Sequence, residues 1–108
     1  MRNNYADNDA GAKTLVATTG TSMTIAADAD QFHVIDWITI SNQGTGVLTI
    51  QYQDADGSNP VTVWDVTCGG NDIDHVIFGN GLYEENTPKN RKVVITKTSG
   101  MKVCVRFR

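Results

Sequence analysis

Hydrophobic residues in this chain recur at every second position, in short runs separated by clusters of Gly, Asn, Asp, Ser and Thr. Residues 32–53, FHVIDWITISNQGTGVLTIQYQ, are the clearest case. Ile38 and Ile40 alternate with Thr39 and Ser41, and Leu48, Ile50 and Tyr52 alternate with Thr49, Gln51 and Gln53. A period of two puts one set on a buried face and the other on the opposite face of a strand. Asn42, Gly44 and Gly46 supply the turn, since Asn and Gly accept positive φ most readily. Folded as a hairpin, the stretch pairs Ile40 with Leu48, Ile38 with Ile50 and Asp36 with Tyr52. No part of the chain carries a sustained i, i+3, i+4 apolar pattern.

The same alternation predicts strands at Lys13–Thr18, Ser22–Ala26, Phe32–Ser41, Gly46–Gln53, Val61–Thr67, Ile73–Phe78, Arg91–Lys97 and Met101–Arg108. Gly79-Asn80-Gly81 reads as a turn, and residues 82–90 as irregular, held by Pro88. About eight strands with turns every 8 to 12 residues predict an all-β fold, a single antiparallel β-sandwich over residues 13–108. Strand count does not separate a jelly roll from an immunoglobulin-like sandwich, although the Cys–Trp–Cys spacing of true immunoglobulin domains is missing. Residues 1–12 are polar and aperiodic, an extended N-terminal arm whose one large apolar residue is Tyr5. The arm is expected to order against a neighbouring molecule, with Tyr5 as its anchor.

Composition narrows the class. At 108 residues with 40% hydrophobic content the chain is one domain, able to bury about two-thirds of its unfolded surface. No apolar run approaches a membrane span, and MRNNYADNDAGA lacks the apolar core of a secretory signal. Cys68 and Cys104 match no zinc spacing, and reduced thiols are expected of a protein made in the cytosol.

Two clusters invite a chemical reading. Asp54-x-Asp56-Gly57-x-Asn59 has a faint calcium-loop look, but turn chemistry accounts for each of its residues. Cys68, Asp72, Asp74 and His75 fall within eight residues, yet no oxyanion site or base-orienting group accompanies them. No phosphate loop, G-x-S-x-G or H-E-x-x-H is present. The expectation is a non-enzymatic protein with no catalytic residue, cofactor or metal.

Surface features carry more. If Ile38 and Ile40 face inward, Ile35 and Trp37 face outward and form an apolar patch, unless a bulge near Asp36 reverses the parity or a loop covers the patch. Residues 1–88 hold all 12 acids with only Arg2 and Lys13, a net charge of −10, whereas residues 89–108 hold seven basic residues and no acid. In a hairpin of the last two strands, Lys92 pairs with Arg106, Val93 with Val105 and Ile95 with Val103, with Lys102 and Arg108 flanking. Like charges opposed across a ladder need an acidic answer: strands of the same subunit bearing Asp36, Asp65 or Asp74 could supply it, and the expectation is a partner, making this hairpin a docking or inter-subunit surface. The overall charge of −3 and the lack of interleaved exposed aromatics exclude nucleic acid as the expected partner.

Val34-x-x-x-Ile38-x-Ile40-Ser41-Asn42, a Gly-rich turn, Val47-x-x-Ile50-x-Tyr52, Asp56-Gly57 and the closing Val103-x-Val105-x-Phe107 together resemble small β-sandwich virion proteins of tailed bacteriophages. Capsid decoration (cement) proteins and head- or tail-fibre modules share this look. The resemblance implies a structural role in the virion, as a homotrimer bound to the major capsid protein or another virion protein, without cofactor or membrane. No functional residue carries over from it. Candidate interface residues are therefore those read from the surface: Tyr5, Ile35, Trp37, Tyr83 (in the irregular 82–90 segment), Lys92, Lys102, Arg106 and Arg108. The competing reading is a carbohydrate-binding type of sandwich, with Trp37, Trp64, Tyr52 and Tyr83 as an aromatic platform.

Overall fold

The computed structural model describes residues 12–42, 44–71 and 73–108, which form an all-β sandwich. Its strands are β1 (Lys13–Ala17), β2 (Ser22–Ile25), β3 (Ile35–Ser41), β4 (Gly46–Asp54), β5 (Val61–Cys68), β6 (Ile73–Leu82), β7 (Arg91–Lys97) and β8 (Lys102–Phe107). All eight lie where the alternation predicts them. β6 alone is much longer than expected, because Gly79-Asn80-Gly81 continues the strand. Gly81 has φ +98°, and a Cβ there would strike the Val34 side chain. Glycine thus lets β6 pass Val34 and bring Leu82 opposite Ile35.

The strands form two antiparallel sheets, a first in the order β1-β8-β3-β6 and a second in the order β2-β7-β4-β5. This is the jelly-roll order of two interlocked Greek keys. Only β4 and β5 are both consecutive and paired; every other connection crosses between sheets. The expected hairpins of residues 32–53 and 91–108 are therefore arches, with one strand in each layer. Alternation determines which side chains face the core, but it is silent on whether the partner strand lies beside or across. The core itself is as expected: Ile38, Ile40, Leu48, Ile50, Val93, Ile95, Val103 and Val105 are at most 1% exposed.

A bulge interrupts β3 between Ile35 and Trp37, on both its β6 and its β8 side. Against β8 Asp36 is the extra residue, whereas against β6 it stands alone opposite residues 78–81; the break in alternation puts Ile35 on the same face as Ile38 and Ile40. Ile35 is fully buried and belongs to the core, which corrects its assignment to the surface.

Two polar side chains tie the layers together at one end. The Tyr52 hydroxyl, on β4, donates to the carbonyls of His33 (2.6 Å) and Leu82 (3.3 Å), the second at the end of β6. Arg91 opens β7 and is buried. Its guanidinium meets both carboxylate oxygens of Glu84 (3.0 and 2.9 Å), Asp54 (2.8 Å) and the carbonyls of Tyr52 and Asn59 (3.2 and 2.8 Å). One side chain thereby holds the β4–β5 turn and the irregular 83–90 segment against β7. On the lateral side between β5 and β6, Trp64 and Phe78 pack edge to face with centroids 5.3 Å apart.

Candidate functional site

Each sheet turns one face to the core and one outward, and the two outer faces differ in chemistry. On the second sheet the outward rows are Ser22–Thr96–Thr49–Asp65 and Thr24–Val94–Gln51–Thr62, with Lys92 beside Gln53. This face is hydroxyl- and amide-rich; Gln51 donates to Thr62 (3.0 Å) and Gln53 to Gln51 (3.1 Å). Val47, opposite Thr67 and 49% exposed, is the large hydrophobic residue that this face leaves open.

The first sheet presents other rows. Val16–Cys104–Thr39–His75 is one, Thr14–Arg106–Trp37–Ile77 the next, and Lys102–Ser41–Ile73 a third. Val16 is 59% exposed, Ile77 69% and Ile73 75%. Trp37 lies against the His75 ring (5.2 Å between centroids), and His75 Nδ1 shares a 2.6 Å hydrogen bond with the Thr39 hydroxyl. Exposed apolar side chains from β1 and β6 around an indole on β3, with Arg106 next to Trp37 and Lys102 two rows away, make the kind of surface a protein contact uses.

The candidate residues sort onto this geometry as follows. Trp37, Lys102 and Arg106 share the outer face of the first sheet. Lys92 is on the outer face of the second sheet, so it does not pair with Arg106; β7 and β8 occupy different layers. Arg108 carries an ion pair to Asp36 (3.0 Å), the bulge residue, and thus pins the chain's last residue to β3. Tyr83 is 44% exposed in the 83–90 segment, tilted against Phe32 (6.1 Å), away from Trp37's sheet face. Tyr5 lies outside the described residues. Two of the seven basic residues counted in the C-terminal segment, Arg91 and Lys97, are buried, and the Lys97 ammonium donates to the Gly20 carbonyl (2.6 Å). Nothing in a list of charges marks these two as structural. Ile73 and Ile77 were missed as surface residues, though the alternation Ile73-Asp74-His75-Val76-Ile77 put them on the face opposite Val76.

The clusters with a possible chemical reading are turns and packing. Asp54 accepts from Asn59 (2.7 Å), Arg91 (2.8 Å) and Ser58 (3.2 Å), which in that order of influence, Asn59 first, hold its carboxyl below the usual range. Asp56 caps Ser58 through both its backbone amide and its hydroxyl, and is lowered likewise. Cys68 is a core residue at the end of β5, whereas His75 points out from the first sheet, so the two do not form a nucleophile pair. Cys104 is on that outer face too, across a layer from Cys68.

A cleft of about 490 Å³ opens between β1 and β2, with Leu15, Ile25 and Phe107 along it and Lys13, Asp28 and His33 at its margins. His33 Nε2 donates to the Ala26 carbonyl (2.7 Å), and among the described residues its buried Nδ1 has no partner. The four aromatics of a carbohydrate platform are dispersed: Tyr52 is buried, Trp64 packs on Phe78, Tyr83 is on the 83–90 segment, and Trp37 stands alone on its face.

No protein-family model matches the chain, and no curated protein matches it. Among solved structures it is similar to PirA, with 16% identity, 88% of this chain and 90% of that one covered, and a TM-score of 0.44. It is also similar to the capsular polysaccharide assembling protein CapF from Staphylococcus aureus, with 9% identity over 89% of this chain and a TM-score of 0.36. The chain spans about a fifth of CapF, 22% of its length. At these levels neither likeness bears on what the chain does.

Proposed function

We propose that this chain is a non-enzymatic structural protein of a phage virion, a decoration module that attaches to the head through the outer face of its first sheet. The observation that carries the reading is the contrast between the two outer faces. One is mostly hydroxyl and amide groups, with Val47 exposed among them; the other sets Trp37, Val16, Ile73 and Ile77 near Arg106 and Lys102. An apolar centre with a basic margin fits an acidic protein surface such as a capsid lattice offers, with the apolar area supplying affinity and the charges orientation. Jelly rolls serve viral capsids and lectins alike, and the dispersal of the aromatics favours the former use.

The test is attachment. Heads prepared without the chain are mixed with it and sedimented; the chain should pellet at a fixed ratio to the major capsid protein and raise the temperature at which heads rupture. Trp37→Ala should abolish both effects while the variant melts as a folded protein. A chain that stays in the supernatant at every concentration would sink the proposal.

A further inference from the structure

Strand β6 is the longest in the fold, ten residues, and it occupies the edge of the first sheet with β3 as its only neighbour there. A long edge leaves a row of amides and carbonyls open to another strand. Proteins blunt such edges with lysine, proline, a covering segment or a bulge. β6 has neither lysine nor proline, among the described residues no loop backbone bonds to it, and its irregularity, residues 78–81 against Asp36, lies beyond the regular stretch Ile73–Ile77. Its outward side chains include Ile73, His75 and Ile77, and the two isoleucines are the most exposed large apolar residues described.

Their spacing is informative. Two copies of one strand, paired antiparallel about a two-fold axis, place residue i opposite residue j with i + j constant. Ile73 and Ile77 are symmetric about His75. A register centred on His75 therefore sets Ile73 of each copy directly opposite Ile77 of the other. Centring on Val76 instead opposes Ile77 to His75 and Ile73 to Gly79. Centring on Asp74 opposes two aspartates and leaves Ile77 facing Asn71, outside the strand. One register alone joins all four isoleucines.

We propose that β6 pairs with β6 of a second copy in the register centred on His75. The two four-stranded sheets then form one of eight strands. The two-fold axis of an antiparallel pair is perpendicular to the sheet, so both outer faces stay on the same side. The four isoleucines and the two Trp37 rings, each beside an Ile77, become one apolar strip. Asp74, on the inner side of the strand, stands opposite Val76 of the second copy and meets no aspartate directly. The pair is a two-fold dimer, where the sequence led to the expectation of a trimer. It goes beyond the virion reading, because it is a property of the isolated chain.

Sedimentation equilibrium of the purified chain should give twice the monomer mass. Ile77→Lys should give a monomer with unchanged thermal melting, since the side chain is already 69% exposed. The register is read in a Cys104→Ser background with a short thiol-bridging reagent. A mixture of Ile73→Cys and Ile77→Cys chains should be linked as a heterodimer, whereas neither chain should link to itself. His75→Cys alone should link to itself. A monomer at all concentrations, a trimer, a dimer indifferent to Ile77→Lys, or self-linking of Ile77→Cys would each overturn the proposal.

Discussion

Arg91 and Tyr52, like Lys97, turn their polar groups to the inside of the fold. Arg91 is enclosed by Glu84, Asp54 and two carbonyls. Replacing it with Met leaves the largely buried Glu84 carboxylate without its cation, and breaking one half of such a pair typically costs about 3–5 kcal/mol. Chemical denaturation of Arg91→Met should show a loss of that order. Acid unfolding checks the same network. Asp54 is held below its ordinary value by Asn59 and then by Arg91, so its contribution is present above that value and is lost as the pH falls through the folded one. The Arg91→Met protein should therefore have a shallower acid limb. Tyr52 gives the opposite limb. Burial foremost, and Glu84 second, raise its phenol above the ordinary value of 10.0. The stability that accompanies the protonated form is complete below that pH and is lost as pH rises above it. Tyr52→Phe should cost about 1–2 kcal/mol at neutral pH, where His33 and Leu82 lose a donor, and its alkaline limb should be flatter than that of the wild type.

At the scale of the element, much was legible and one inference was not. Strand positions follow from period-two alternation, and six of the eight run within a residue of their expected ends. β3 and β6 depart together and for a shared reason. The Asp36 bulge and Gly81 at φ +98° face each other across the β3–β6 pair, so the irregularity of one strand accommodates that of the other. A bulge is invisible to periodicity, because a shift of parity within one strand looks like an apolar residue on the wrong face. Ile35 and Trp37 show this well: adjacent in pattern, they end on opposite faces. Gly81→Ala would meet both a left-handed backbone conformation and the Val34 side chain. A loss of about 1–3 kcal/mol is expected, read as a lowered denaturation midpoint. Val34→Ala in the same chain should restore only part of it, since the backbone strain remains.

For the whole molecule, the layered arrangement separates charges that lie close in sequence. Lys92 and Arg106 are fourteen positions apart and on opposite sides of the sandwich. Salt-dependent attachment to heads should thus divide by face. Lys102→Gln with Arg106→Gln should weaken it several-fold and reduce its sensitivity to salt, while Lys92→Gln should leave it unchanged. Equal effects from the two faces would mean that attachment is not through the first sheet. The sequence located the basic excess but not its division, because the side of the molecule a strand reaches depends on which sheet it joins. That choice is made by contacts distant along the chain.

The arches have a temporal consequence. β1 is bonded only to β8, with Lys13 opposite Phe107, so the first strand waits for the last. Since β8 also separates β1 from β3, the first sheet is two fragments until residues 102–107 arrive. The β4–β5 hairpin has no such dependence, and it is the one pairing with a short loop to close. Refolding should start there, and the remaining ladder should zip late and slowly for a chain of this size. Truncating Leu48 or Val66 to Ala should slow refolding, whereas truncating Leu15 or Val103 should act mainly by hastening unfolding. During synthesis the first sheet stays open until its final strand is free, and the isoleucines of β6 are in place before the sheet that carries them is complete.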